Sequence, residues 1–274
     1  MKGTGEEEGR ASMNAEKRRQ HLLEKVNETG FISISGEAQA LGVSVETIRR
    51  DIDRMADNKQ LLKVRGGAAP ARMQLRRDAD YMLRRQDNQQ VKMSIGRAAA
   101  SMITDGQVAF LDCGTSIQDI ARSINGVRNV TFIVNSVPVM SILLDKFAAG
   151  EIDGRAILIG GEMDVHNRFT KGAMVVEELS RYSADIAFIS CTAVSAQSVS
   201  GYTLDEGAYS AHLMQRAVRS VLVAESNKLG KTSLYAFARP GDFSCMITDD
   251  THHIPDNVKN SFAAANVHTV VVSN

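Results

Sequence analysis

The stretch QVAFLDCGTSIQDIARSI, residues 107–124, decides the architecture of most of the chain. An apolar run short enough for a strand ends at Asp112, Gly114 allows close backbone approach, and a helix-like stretch begins near residue 116. Thr115 or Ser116 stands where the cap of that helix belongs. The freed N–H groups at such a helix start, together with the positive end of its dipole, form an anion site. Asp112, at the carboxyl end of the strand, is placed to receive hydroxyl groups. An ordinary strand-to-helix connection with a good cap reads the same way.

Outward from this piece the pattern repeats. Further short apolar runs are VTFIV (130–134), AILIG (156–160), DIAFIS (185–190), SVLVAE (220–225), CMIT (245–248) and TVVV (269–272). Several are apolar throughout, as expected of strands covered on both faces. Helix-like stretches lie between them near 92–103, 137–147, 173–182 and 206–219. Alternation of this kind predicts an α/β domain with a largely parallel sheet over residues 91–274. Ligands in such sheets sit beyond the strand ends. There the candidates are Asn135-Ser136, Gly160-Gly161-Glu162, and Lys228 as a neutraliser of phosphate. Asn-Ser and Gly-Gly are also common loop residues, so it is their recurrence at strand ends that points to a shared pocket. His166 and Arg168 read as surface residues.

The amino-terminal part has a different period. Residues 15–28 place Leu22, Leu23 and Val26 on one helical face, and Gly30 stops that helix. Ala38 and Leu41 follow on a short segment, Gly42 permits a tight turn, and Ser44 stands as the N-cap of a helix from Val45 to about Asp57. Helix, short turn, helix is the helix-turn-helix outline. At about 100° per residue, Val45, Ile48, Ile52 and Met55 fall on one side for burial. Arg50 points almost directly opposite, flanked by Thr47 and Arg54 and by Glu46, Arg49 and Asp53. Outward Thr and Arg suit the major groove, where Arg bonds guanine and other donors grip phosphate. Arg49 is equally spaced for ion pairs with Glu46 and Asp53. LLKVRGGA (61–68) reads as a small hairpin, or wing, carrying Lys63 and Arg65, with Gly66–Gly67 at its bend. The domains expected are thus 15–70, a polar and basic linker over 71–90, and 91–274.

Composition supports this division and excludes other classes. The 274 residues are 43% hydrophobic and 23% charged, enough apolar material for a real core. Overall charge is balanced, yet residues 1–90 carry +3, and six basic side chains without an acid run from Lys59 to Arg77. No apolar stretch reaches the roughly 18–20 residues of a membrane helix. The first residues, with Glu6, Glu7 and Glu8, read as a disordered lead-in and not as a secretory signal. Three scattered cysteines, Cys113, Cys191 and Cys245, read as reduced thiols in a cytoplasmic protein, and no histidine pattern suggests a metal. No cofactor is expected.

These segments resemble the DeoR family of bacterial transcriptional regulators. The family's helix-turn-helix signature is reproduced in order by Arg18, Leu22 and Val26, then Ser44, then Thr47-Ile48-Arg49-Arg50-Asp51-Ile52, and KVRGGA matches its wing. The resemblance covers roughly residues 16 to 250. It continues through Asp112-Cys113-Gly114-Thr115, Asn135-Ser136, Gly160-Gly161-Glu162, Gly172, Ala187-Phe188-Ile189, Glu206 and Ser226-Asn227-Lys228-Leu229-Gly230. It implies that Ser44, Thr47, Arg49 and Arg50 contact double-stranded operator DNA, with Lys63 and Arg65 supporting the wing. It also implies a sensor fold similar to ribose-5-phosphate isomerase that binds a phosphorylated sugar. The chain departs from the family's Gly-x-Asp-Gly at Ser190-Cys191-Thr192-Ala193, from its lysine after Glu206 near Ser210, and from its aspartate at Glu225. The function expected is repression of a carbohydrate-metabolism operon by a homo-oligomer, since paired heads match paired half-sites. The alternative is a sugar-phosphate isomerase-like enzyme, with Glu206 or Asp112 and Lys228 as its acid–base groups.

Overall fold

The computed structural model describes residues 14–29, 31–58, 60–64, 66–70, 81–249 and 254–273. Contacts divide the chain between residues 78 and 79 into two units. The first runs α1 (Ala15–Thr29), β1 (Ile32–Ser33), α2 (Ile34–Leu41), α3 (Val45–Asp57), β2 (Leu61–Val64) and β3 (Gly67–Pro70). Its strands form an antiparallel sheet in the order β1-β3-β2. Ser33 caps α2 by accepting from the Gly36 N–H, Gly42 closes it, and three residues later α3 begins. Leu22, Val26, Ile34, Ala38, Ile48, Ile52, Met55 and Leu61 share one core. This is a winged helix-turn-helix.

Two side chains of α3 differ from the angular reading. Val45 points to the core side but is 44% exposed, because the first turn of the helix lies beyond the elements that cover Ile48 and Ile52. Asp51, which the angular reading did not place, lies buried at the flank of that face, where its carboxylate holds Arg18 at 2.5 Å and Arg19 at 3.3 Å. The bend of the wing is also narrower than the sequence suggested. Gly66 has φ 81°, whereas Gly67 already belongs to β3. A Cβ at Gly67 would stand 2.0 Å from the Ile32 carbonyl, so glycine lets β1 join the sheet.

The second unit begins with α4 (Tyr81–Gln86), α5 (Gln89–Ala100), β4 (Val108–Leu111), α6 (Thr115–Ser123), β5 (Val130–Val134) and α7 (Val137–Ala148). It continues with β6 (Gly154–Leu158), β7 (Glu162–Asp164), β8 (Phe169–Lys171), α8 (Ala173–Leu179), β9 (Ala184–Ser190), β10 (Ala193–Val194) and β11 (Val199–Gly201). Last come α9 (Leu204–Gln215), β12 (Ala217–Val223), β13 (Tyr235–Ala238), β14 (Cys245–Asp249), α10 (Asp256–Ala264) and β15 (His268–Val272). Seven strands form one parallel sheet, ordered β15-β14-β12-β9-β4-β5-β6. They are the seven apolar runs of the sequence.

Alternate residues explain why those runs are apolar throughout. Leu111, Phe132, Val134, Phe188, Val221 and Ile247 face a core shared with Ile95, Ile117, Ile120 and Leu143. Phe110, Ile133, Ala187, Ile189, Leu222 and Met246 face another, with Val175, Leu179, Leu213 and Phe262. Both faces are dry, so neither needs polar residues. The chain builds β4, β5, β6 in one direction and β9, β12, β14, β15 in the other. The reversal lies between β4 and β9, and the crevice beyond their carboxyl ends is where such sheets hold ligands.

Two sequence expectations are corrected here. Residues 81–90, expected within the linker, form α4 and the start of α5 in the second unit; residues 71–80 lie outside the described ones. The helix expected over 206–219 ends at Gln215, and residues 217–219 extend β12 in register with β9, Ala217 opposite Ala184. Backbone pairing there overrides an amphipathic pattern and leaves Val218 83% exposed. The hairpin β7–β8 and the small sheet β10-β11-β13 are too short for periodicity to reveal. Among the described residues, no helix is long and apolar enough to cross a membrane, and no cluster of His, Cys, Asp and Glu could hold a metal ion.

Candidate functional site

In the first unit the candidate residues lie on the solvent side of α3 and in the wing. Ser44 has β-region backbone, its hydroxyl accepts the Thr47 N–H at 3.1 Å, and the two hydroxyls lie 2.8 Å apart. Capping fixes the entry of the helix and orients Thr47 at its first turn. Arg50 is 80% exposed, opposite the core-facing isoleucines. Glu46 holds Arg49 at 2.8 Å and Arg50 at 3.5 Å. Asp53 instead pairs with Lys63 of the wing, so Arg49 pairs within the helix with Glu46 alone. Arg54 is exposed on the same side. Arg65 lies outside the described residues. Exposed pairs of this kind contribute about 0–1 kcal/mol, so a nucleic acid can displace them at little cost.

In the second unit the candidates gather at the strand ends, but several are already occupied. Asp112 is buried, and its carboxylate accepts the N–H of Cys113 at 2.8 Å and of Ser190 at 2.9 Å. It also accepts the hydroxyls of Ser190 at 3.1 Å and Ser210 at 3.0 Å. Burial pushes its carboxyl up to about 6, against the pull of those hydrogen bonds. Asp112 therefore ties β4, β9 and α9 together across the reversal point, and its oxygens are not free acceptors. Ser190 and Ser210, noticed in the sequence only as departures from a family pattern, are two of its donors. Cys113 is buried, and burial pushes its thiol well up.

Gly114, at φ 124°, is the N-cap of α6, and no side chain caps that helix. Thr115 and Ser116, expected as caps, are its first two residues, the second of them buried. The first N–H groups of α6 thus keep the polarity that suits an anion. A Cβ at Gly114 would stand 3.0 Å from the Ser190 hydroxyl. At the end of β5, Asn135 donates to the Thr170 carbonyl at 2.9 Å while its buried Oδ1 has no partner. Ser136 is buried at the start of α7 and bridges to Phe169.

Gly160 faces open space, but Gly161 answers packing and not ligand approach. A Cβ on it would lie 2.4 Å from Val175 Cγ2. Glu206, in the first turn of α9, is half-buried; burial raises its carboxyl and the nearby Arg84 guanidinium lowers it. Lys228 sits 3.3 Å from the buried Glu225, which also accepts from Asn88 at 2.9 Å. Burial pushes the Cys191 thiol up to about 11, with the Lys228 ammonium pulling the other way. A surface cavity of about 660 Å³, lined by residues such as Met246, Pro255 and Lys259, involves none of the candidates.

Sequence reasoning missed Arg84, Asn88, Lys92 and Glu225 as parts of this edge. The first three lie in or beside a stretch whose basic, polar composition resembles a linker. Glu225 carried a signal, because it stands where the family pattern has another acid.

Comparison with known proteins adds the following. The family described as the DeoR-like helix-turn-helix domain matches residues 18–73, and the DeoR C terminal sensor domain matches residues 87–250. The HTH-type transcriptional repressor GlcR of Bacillus subtilis is 31% identical over 238 residues, spanning 86% of this chain and 89% of that protein. The lactose phosphotransferase system repressor of Staphylococcus aureus is 30% identical over 86% of this chain and 93% of its own. Ribose 5-phosphate isomerase A of Methanocaldococcus jannaschii superposes with a TM-score of 0.36 and 15% identity, over 52% of this chain and 55% of that one. With both halves matched in order and relatives matched over most of their length, the chain belongs to the DeoR family of transcriptional regulators.

Proposed function

We propose that this regulator represses a carbohydrate-metabolism operon, binding double-stranded operator DNA as a homo-oligomer and releasing it when a small phosphorylated sugar occupies the β4–β9 strand ends. The observation that carries the DNA half is the Ser44-capped α3 with Arg50 standing clear of the core. A guanidinium in that position reaches guanine O6 and N7 with two parallel hydrogen bonds. Thr47, Arg49, Arg54 and the wing, with Lys63 and Arg65, support phosphate contacts. Gly114 and the uncapped start of α6, with Thr115 and Ser116, support an anion subsite. The unpartnered Asn135 Oδ1 is an acceptor for a ligand hydroxyl. The effector acts by population shift, and only to the extent that it binds the DNA-competent and DNA-incompetent arrangements unequally.

The enzymatic alternative needs Glu206 or Asp112 with Lys228, and two of those three groups are already engaged by the chain. Asp112 already accepts four chain donors, three of them on Oδ2, and Lys228 is paired with Glu225. As a DNA-bound regulator without turnover, the protein works in the cytoplasm. The test is a gel shift on the DNA upstream of its own gene. Arg50→Ala is expected to weaken specific binding roughly 10- to 100-fold per head, with an unchanged melting temperature. Binding at wild-type affinity removes Arg50 from the interface. A thermal-shift screen of phosphorylated sugars identifies the effector, since a specific ligand raises apparent stability by mass action.

A further inference from the structure

The cations at the carboxyl edge of the sheet are not equally available to a ligand. Lys228, the one the sequence put forward, is held by Glu225 at 3.3 Å. Lys92 is 2% exposed; its ammonium donates to the carbonyls of Arg84 and Asp87 and stands 4.0 Å from the same Glu225. Lys171 lies between Glu162 at 3.7 Å and Asp164 at 4.0 Å.

Arg84 differs from all three. It is exposed on α4 and donates to the neutral side-chain amide of Asn167, in the turn between β7 and β8. Among the described residues no carboxylate stands within ion-pair distance of it. Its charge nevertheless reaches Glu206, at the start of α9, and Glu206 in turn acts on Cys113, beside Gly114. With Asn167 on one side and the Tyr81–Gln118 hydrogen bond tying α4 to the first turn of α6, the Arg84 guanidinium, unpaired by acid among the described residues, lies on the same edge as the uncapped start of α6.

The helix that carries it is pinned there by other polar contacts. The Tyr81 hydroxyl donates to Gln118 of α6 at 3.0 Å, and Arg168 lies over the Tyr81 ring at 4.9 Å. Just past α4, Asn88 donates to Glu225. So α4 borders the loops that follow β4, β6 and β12.

Resting on the ligand reading above, we propose that Arg84 is the residue that grips the anionic group of a phosphorylated sugar, displacing the Asn167 amide, while Glu206 beside it takes a sugar hydroxyl. The planar guanidinium fork matches a phosphate with two parallel hydrogen bonds, which a lysine point charge does not.

Isothermal titration of the full chain with inorganic phosphate tests this, comparing wild type with Arg84→Gln, Arg84→Lys and Lys228→Gln. Arg84→Gln is expected to weaken phosphate binding about tenfold or more, Arg84→Lys to recover part of it, and Lys228→Gln to cost about threefold or less. The melting temperature of the unliganded Arg84→Gln chain stays at the wild-type value, because the side chain is exposed and its partner neutral. If it drops, Arg84→Lys decides: full phosphate affinity with the charge kept but the fork lost overturns the bidentate grip. Phosphate bound by Arg84→Gln as by wild type overturns the proposal; a loss confined to Lys228→Gln then leaves the site standing with another cation at its centre. If phosphate gives the wild type neither heat nor slower amide exchange over residues 112–118, the site falls and the grip with it.

Discussion

The outer face of α3 and the strand-end cluster of the second unit hold similar residue types in opposite ways. On α3 the acids and arginines pair in the open, Glu46 with Arg49 and Arg50, so each pair is weak and exchangeable. Around Asp112 the acid is buried and satisfied by four donors drawn from three elements. The first arrangement keeps side chains available to a partner. The second fixes the geometry of a loop.

One residue of the DNA-binding unit crosses that divide, and changing it is expected to have the largest effect. Asp51 is buried with Arg18, so Asp51→Ala breaks a buried ion pair and costs about 3–5 kcal/mol. The first unit should then melt separately and far below the second in calorimetry; a single unshifted transition would show that the pair is not structural.

Next in size is Asp112→Asn. Its amide cannot accept all four donors, and one unmet buried donor costs about 1–3 kcal/mol. The pH dependence sharpens the contrast. Asp112 titrates near 6 in the fold against 3.8 unfolded, so its contribution favours the fold below pH 4 and is lost as pH rises through 6. Wild type should gain on the variant by on the order of 3 kcal/mol between pH 7 and 4, read from paired urea melts. A pH-independent difference would mean that the carboxylate is solvated.

The smallest effect belongs to the open face. Glu46→Gln releases both arginines and should change stability by no more than about 0.5 kcal/mol, while tightening non-specific DNA binding a few-fold at low salt. Weaker DNA binding would show that Glu46 orients Arg50 usefully.

The sequence made the sheet legible because its central strands are buried on both faces and so read as short, apolar runs. The helix-turn-helix was legible for a similar reason: Ile48, Ile52 and Met55 repeat at helical spacing, and Ser44 caps the helix. The ligand edge was only half legible. Residue types at strand ends do not say whether a side chain points to a ligand or to the chain itself; Asp112 and Gly161 prove to serve packing and connection. Nor could periodicity show that Arg84 and Asn88 return to that edge, since their neighbours Arg85, Gln86 and Asp87 are polar on every side. Long-range contact decides such cases.

The parallel sheet also sets an order of birth. Every strand pairing of the DNA-binding unit lies within residues 32–70, whereas β4 finds its neighbour β9 only once residues 184–190 have been made. At about 5–20 residues per second on the ribosome, that is a delay of roughly 6–25 s. For that interval the nascent polypeptide carries a folded helix-turn-helix while the sheet of its sensor domain is still being synthesised.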